Sequence, residues 1–186
     1  MIERSNRYEA AVATLVGLCA LGVSAYTAWI QRQQVRAQVW PILEYGTDND
    51  PYIRLTLANK GVGPAMIKDA LVTVDGVPVK NWTAALEKLD GAGKHLFSTS
   101  IVLGRVLSAG ESIEVMSPLD PSGARLLAKS GPLGEQLNRA RFRIGVEICY
   151  CSTLGDCWTL HADWKAPPTT VETRRCPAPS AITFQQ

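Results

Sequence analysis

The longest hydrophobic segment of the chain lies near its N-terminus and carries no charge. It covers residues 10–30 and has two arginines close to each end. A helix that crosses a membrane needs about 20 predominantly apolar residues. The pattern therefore predicts one transmembrane helix over residues 10–30, with a stub at residues 1–9 before it and a polar connector at residues 31–38 after it. Because the arginines are balanced two against two, the orientation rests mainly on the cysteines described below, which favour a cytoplasmic stub.

A secretory signal sequence has a similar pattern and is the alternative interpretation of this segment. The tripeptide Val23-Ser24-Ala25 fits a signal cleavage site. The segment is long for a signal sequence, however, and it ends in Trp29 and Ile30 instead of a polar stretch. Aromatic rings near the ends of an apolar segment are typical of helices that stay in the membrane. A retained anchor is therefore the favoured interpretation.

Small residues form one stripe along the predicted membrane helix. They are Ala10, Ala13, Gly17, Ala20, Ser24 and Thr27. Their alternating steps of three and four residues place them on one face of a helix. Helices associate within lipid through small residues that let the backbones approach closely. The stripe predicts packing against a second copy or another membrane subunit; the alternative is that alanine and glycine are simply common in membrane helices.

Beyond the connector, short apolar–polar alternations separated by turn residues predict a mainly β domain over residues 39–166. The predicted strands cover residues 39–45, 52–58, 66–74, 77–79, 100–107, 112–116, 141–151 and 157–164. Short helices are predicted over residues 122–129 and 132–139 and from Asn81 or Thr83 to Leu89. This many short strands with regular turn signals is typical of a β-sandwich. The proline- and threonine-rich residues 167–186 predict an extended C-terminal arm.

The segment 59–65, with the sequence Asn-Lys-Gly-Val-Gly-Pro-Ala, is the most distinctive local motif. Asn59 ends a predicted strand and its side chain can bond to nearby backbone. Gly61 and Gly63 permit positive φ, and Pro64 fixes φ before the next strand. A phosphate-binding loop would continue into a helix with a Lys-Ser/Thr pair, whereas a strand follows here. The motif therefore predicts a structural turn.

This motif, in Leu57-Ala58-Asn59-Lys60-Gly61-Val62-Gly63-Pro64-Ala65-Met66-Ile67 followed by Val74-Asp75-Gly76, resembles a pattern in largely uncharacterised bacterial single-pass membrane proteins. The hairpin from Glu147 to Trp158 is similar to their strand–turn–strand close. The resemblance implies an N-terminal anchor and an immunoglobulin-like β-sandwich outside the cytoplasm, and it implies no catalytic residue. The chain departs from the pattern in its cysteines, since an acidic residue is commoner in such a hairpin turn.

The charge balance gives little support to a polyanionic partner. The chain has 19 Lys and Arg against 17 Asp and Glu, a net charge of +2. A nucleic-acid-binding protein usually carries a pronounced basic patch, so no nucleic-acid partner is expected. The expected partners are the membrane and another membrane protein, and no cofactor is expected.

Four of the five cysteines lie outside the hydrophobic segment, at Cys149, Cys151, Cys157 and Cys176. An even number of clustered cysteines is typical of an oxidising compartment. Cys151 and Cys157 flank a five-residue turn and could face each other across a hairpin, which leaves Cys149 for Cys176. Three connectivities remain open, as do free thiols and zinc, although the usual zinc-ligand spacing is absent. Structural disulfides are favoured, and no metal site is expected.

The candidates for catalysis are weak. Of the two histidines, His95 and His161, only His161 has a candidate partner. Cys157 and His161 share one face of a predicted strand, and a Cys–His pair can act as a nucleophile; a partly exposed histidine at a strand end is the commoner case. Three hypotheses follow: a non-catalytic accessory subunit, a periplasmic ligand- or peptide-binding domain, and a thiol enzyme. The first is favoured, in a bacterial inner membrane with the C-terminal domain in the periplasm.

Overall fold

The computed structural model describes residues 2–91, 96–129, 131–178 and 183–185. His95 lies outside these residues. The chain separates into two compact units, residues 1–38 and residues 39–186. The boundary falls where the predicted connector ends and the predicted β domain begins.

The first unit is one continuous helix, α1 (Ile2–Gln38). The connector is therefore helical, as its Gln, Arg and Ala residues allow, since all three are good helix formers. Within the described part of the chain, Tyr8–Gln38 is the stretch that is long and apolar enough to cross a membrane; its most apolar window has a mean hydropathy of 1.7 and no buried residue. A signal sequence near an N-terminus can pass the same test of length and composition.

The second unit is rich in antiparallel sheet. In chain order its strands are β1 (Leu43–Asp48), β2 (Arg54–Asn59), β3 (Ala65–Val74), β4 (Val77–Val79), β5 (Leu96–Thr99), β6 (Val106–Leu107), β7 (Ser112–Leu119), β8 (Ile144–Cys151), β9 (Cys157–Ala162) and β10 (Thr169–Thr173). One sheet has the order β1-β2-β7-β5, and the other has the order β10-β9-β8-β3-β4 with β6 paired to β3.

Both sheets contribute to one hydrophobic core. In β2 the predicted alternation holds, because Leu55 and Leu57 are buried whereas Arg54 and Thr56 are half-buried. In β8 the even-numbered residues, such as Ile148 and Tyr150, belong to this core. The odd-numbered cysteines of β8 point to the other face of the sheet, as the period of two requires.

Two further helices are described in this unit. Helix α2 (Trp82–Asp90) begins at Asn81, whose side chain accepts a hydrogen bond from the Ala84 N–H, and Leu86 and Leu89 are buried on one face as predicted. Helix α3 (Gly131–Ala140) extends the predicted helix by one residue at each end.

The helix predicted over residues 122–129 is wrong. The Asp120 carboxylate accepts hydrogen bonds from the backbone N–H groups of Ser122 and Ala124 and holds a turn there. Two isolated bridges then pair this segment with its neighbours, Tyr52 with Leu127 and Leu119 with Arg125. Local side-chain bonding and strand-like pairing together replace the helical hydrogen bonds.

Several strand boundaries also differ from the predictions. The strand predicted from residue 39 begins only at Leu43, because residues 40–42 bond to the loop after β2 and not to a neighbouring strand. The strand predicted over residues 100–107 is reduced to β6, because a turn at Gly104 (φ 76°) interrupts it. The strand predicted from residue 141 begins only at Ile144, after a 3-10 turn at Arg141–Arg143.

The C-terminal segment is extended but is not a separate arm. Its β10 pairs with β9 along five residues, from Thr169 opposite His161 to Thr173 opposite Cys157. Further on, Phe184 is 1 % exposed and meets the Trp82 ring edge-to-face at 4.9 Å. The β domain therefore extends beyond residue 166, because the tail supplies both a strand and a core side chain.

Candidate functional site

The turn motif binds the chain segment that precedes β1. We call residues Val39–Ile42 the entry segment, because they are the first residues of the second unit. The Lys60 N–H donates to the Ile42 carbonyl at 2.7 Å. The N–H groups of Val62 and Gly63 both donate to the Trp40 carbonyl, at 3.0 and 3.3 Å. The backbone of the motif thus holds the entry segment.

Asn59 organises this contact from inside. Its side chain is fully buried, and its Oδ1 accepts hydrogen bonds from the N–H groups of Ile42 and Gly61 at 3.2 and 3.0 Å. Its Nδ2 donates to the carbonyl oxygens of Gly63, Leu107 and Ser108 at 2.7, 3.1 and 3.2 Å. One amide therefore ties the entry segment, its own loop and the chain after β6 together.

The two glycines are needed for close approach. A Cβ at Gly61 would lie 2.4 Å from the Trp40 carbonyl oxygen, and a Cβ at Gly63 would lie 2.1 Å from the Val39 carbonyl oxygen. The positive-φ explanation given above is wrong, because neither residue is among those with positive φ. A methyl group at either position would occupy space already filled by the entry segment.

Aromatic rings cover the entry segment on the β9 side. The ring centroid of Trp40 lies 6.5 Å from that of Trp158, which in turn lies 5.9 Å from that of Tyr150. The Tyr150 hydroxyl accepts a hydrogen bond from the Leu43 N–H at 3.4 Å, and burial raises the pKa of this phenol. Trp40 keeps half of its surface exposed.

The four outer cysteines meet at one place, which we call the sulfur corner. Cys149 and Cys151 stand on the outer face of β8, Cys157 begins β9, and Cys176 comes from the tail. The structure joins Cys149 to Cys176 and Cys151 to Cys157, with Sγ–Sγ distances of 2.05 and 2.09 Å. Sulfurs in disulfides are not thiolates, and thiolates are what bind metal ions, so this oxidised arrangement is covalent chemistry and not a metal centre.

The Cys–His pair that was weighed as a weak alternative does not form. His161 lies opposite Glu147 across β8 and β9, and its Nδ1 is 3.3 Å from a Glu147 carboxylate oxygen. Both side chains are about half exposed, while the sulfur of Cys157 is bonded to Cys151. The histidine therefore makes a surface contact instead of activating a nucleophile.

A second aromatic group lies at the other end of β8 and β9. Phe142 precedes β8 and meets the Trp164 ring edge-to-face at 5.4 Å, and Trp164 lies 6.4 Å from Tyr45. Trp164 and Phe142 remain 40 % and 49 % exposed. A groove of about 410 Å³ runs beside Trp164 and is bordered by Tyr45, Lys165 and Pro168. We call Phe142, Trp164, Tyr45 and this groove the aromatic end.

Charges surround the aromatic end. The Arg141 guanidinium lies over the Phe142 ring at 4.4 Å, and burial lowers the pKa of Arg141. Arg143 pairs with Asp75, with Nε 3.0 Å from Oδ1, and this hydrogen bond holds the pKa of the Asp75 carboxyl below its usual range. Burial raises the pKa of Tyr45, whose hydroxyl has no partner among the described residues.

Sequence reasoning missed the aromatic end. It did not single out Phe142 or Tyr45. Trp158 and Trp164, which follow each other closely in sequence, pack against different rings. The sequence pattern pointed the other way: in a segment predicted to be strand, Phe142 between two arginines lies on the face opposite theirs, which is the pattern of a buried side chain.

The predicted packing stripe lies on α1 with its side chains exposed. The hydroxyls of Ser24 and Thr27 donate to the carbonyl oxygens of Ala20 and Val23, each at 2.8 Å, so their polar atoms are satisfied within the helix. A Cβ at Gly17 would meet no atom within 4 Å.

Compared with protein-family models, with curated proteins and with solved structures, the chain shows no significant match.

Proposed function

We propose that this protein is a non-catalytic accessory subunit of a larger membrane complex, anchored by α1 in a bacterial inner membrane with an immunoglobulin-like domain in the periplasm. The observation that carries the proposal is α1 itself. The most apolar window of this helix has no buried residue. One stripe of its surface consists of small residues, and the two that carry hydroxyls, Ser24 and Thr27, bond them within the helix. Such a surface suits close packing against another helix.

The sulfur corner supports the location. Disulfides persist in the periplasm and other oxidising compartments and are rare in the cytosol. One disulfide here joins the tail to β8, and the other joins the end of β8 to the start of β9 across their hairpin. The resemblance of the turn motif to anchored bacterial proteins with an outer immunoglobulin-like domain points to the same compartment.

The proposal is tested by purifying the full chain in mild detergent and identifying what co-purifies by mass spectrometry. A membrane protein in stoichiometric amount, or a defined homo-oligomer, is expected. Gly17→Leu should abolish this association, because a leucine side chain on the stripe would keep the helices apart.

Gly22→Leu is the matched control. Gly22 is five residues from Gly17, which places it about 140° further round the helix. A Cβ at Gly22 also meets no atom within 4 Å, so both variants add the same side chain to open helix surface. Association that survives Gly17→Leu, or that both variants abolish equally, would contradict packing through the stripe.

The aromatic end supports a second candidate, a periplasmic ligand- or peptide-binding domain. Trp164 and Phe142 keep large apolar surfaces exposed beside a groove, and exposed aromatic rings near a concave surface are common in binding sites. A protein that purifies alone as a monomer, with Trp164 fluorescence that responds to an added ligand, would favour this candidate over the accessory subunit.

A further inference from the structure

The two disulfides of the sulfur corner lie in contact with each other. The Sγ of Cys151 is 3.7 Å from the Sγ of Cys176, although each belongs to a different bridge. Three of the sulfurs, those of Cys151, Cys157 and Cys176, lie within 4.8 Å of one another. Disulfide exchange requires a thiolate to reach a sulfur of another disulfide, and this packing already brings the two groups together.

We propose that the sulfur corner is a thiol–disulfide exchange site in which reduction of the hairpin bridge moves the tail bridge from Cys149 to Cys151. An external monothiol supplies the first step: its thiolate attacks the Cys157 sulfur, forms a mixed disulfide there, and releases the Cys151 thiolate. That thiolate then attacks the Cys176 sulfur. The new bond joins Cys151 to Cys176, the old bond to Cys149 breaks, and Cys149 leaves as a thiolate.

The second step needs no further reductant. One thiolate is consumed and one is formed, and the number of disulfide bonds does not change. Its geometry is intramolecular, so the effective concentration of the attacking sulfur far exceeds that of a free thiol.

The exchange would move the covalent attachment of the tail. Cys149 and Cys151 are two residues apart on the same face of β8, which corresponds to about 6.8 Å along an antiparallel strand. The tail would therefore be held closer to the hairpin turn after exchange. Because the Cys151 sulfur already lies 3.7 Å from the Cys176 sulfur, only a small displacement of the tail is needed, and the tail stays attached throughout.

The test uses the full chain in mild detergent. The protein is partly reduced with a monothiol at neutral pH and quenched with acid, and its bridges are mapped by proteolysis and mass spectrometry. We expect a Cys151–Cys176 bridge among molecules that retain one disulfide. The proposal is overturned if every such molecule retains one of the two original bridges.

Two variants test the same contact without an added thiol, in a Cys19→Ser background that removes the remaining free cysteine. Cys157→Ser frees Cys151 beside the tail bridge, and the free thiol should then be shared between Cys151 and Cys149. Cys149→Ser frees Cys176 beside the hairpin bridge, and the free thiol should be shared between Cys176 and Cys157. The minor isomer should reach about a tenth of the molecules, a tenfold ratio being about 1.4 kcal/mol.

Cys176→Ser is the control. It removes the tail sulfur that makes the 3.7 Å contact, so the hairpin bridge should stay intact and Cys149 alone should carry the free thiol. A free thiol found only on the original partner in both exchange variants would show that the contact does not support exchange.

Discussion

At the scale of single residues, the Asn59 side chain both accepts hydrogen bonds from and donates hydrogen bonds to buried backbone groups. Its amide faces two backbone N–H groups with one end and three carbonyl oxygens with the other. An aspartate would place negative charge against the carbonyl oxygens. A shorter side chain would leave the two N–H groups and the three carbonyl oxygens without this partner. Buried polar groups without partners each destabilise a protein by about 1–3 kcal/mol.

Asn59→Ala should therefore lower the free energy of unfolding by about 3 kcal/mol or more, since several buried backbone groups lose their partner at once. The measurement is urea unfolding of the full chain in mild detergent, followed by tryptophan fluorescence. Lys60→Ala is the control, because the Lys60 side chain is exposed and only its backbone contacts the entry segment. Equal stability of the two variants would mean that Asn59 does not organise the loop.

Gly63 tests the close approach separately. Gly63→Ala should lower the free energy of unfolding by about 3 kcal/mol, because the added Cβ overlaps the Val39 carbonyl and the backbone must move. Gly76→Ala is the comparison: Gly76 has a φ of 80° and open space around it, so only backbone strain of about 1 kcal/mol is expected. Thermal unfolding of both variants decides, and a Gly76 variant that is the less stable of the two would refute the steric explanation.

At the scale of elements, the C-terminal tail contacts β9, β8 and α2. Its β10 continues the sheet beside β9, Cys176 reaches the outer face of β8, and Phe184 enters the core beside α2. The backbone N–H groups of Phe184 and Gln185 donate to the carbonyls of Ala70 and Lys80 at 2.9 and 2.7 Å. The segment predicted to be an arm is thus held at three separate places.

Phe184→Ala should destabilise the protein by about 3–5 kcal/mol, the usual effect of removing a buried phenylalanine ring. Its neighbour Gln185 is exposed and keeps its backbone hydrogen bond when truncated, so Gln185→Ala should change stability by less than about 0.5 kcal/mol. Chemical unfolding of both variants provides the comparison. A Phe184→Ala protein as stable as the Gln185 variant would show that the ring is not part of the core.

Elements whose cause is local could be predicted from the sequence. The alternation in β2 fixes which side chains are buried, and Asp75-Gly76 forms the tight turn between β3 and β4 with both φ values positive, 53° and 80°, as such hairpins require. Asn81 begins α2 because its side chain caps the first turn. In each case neighbouring residues alone decide the conformation.

Features that depend on distant contacts could not be predicted. The turn after Asp120 replaces a helix because residues near Tyr52 offer pairing partners. The core position of Phe184 depends on a space beside Trp82 that only the folded sheet creates. The reason given for the glycines of the turn motif was wrong, since only the structure shows the entry segment against them.

At the scale of the whole molecule, the chain consists of two compact units. Helix α1 is apolar and long enough to cross a membrane, and the β domain is rich in sheet and contains two disulfides. The proposed role in a membrane complex requires that both parts stay in one chain. Cleavage after Ala25 would remove most of the packing stripe and leave a domain without an anchor.

The intact mass of the mature protein in membranes washed with alkaline carbonate tests this requirement most directly. The wash removes peripheral proteins and retains those that span the bilayer. If α1 is a retained anchor, the uncut chain of about 20.2 kDa is expected in the membrane pellet. A shorter chain that begins near Tyr26 and is found in the soluble fraction would contradict it and would leave the β domain as a free binding protein.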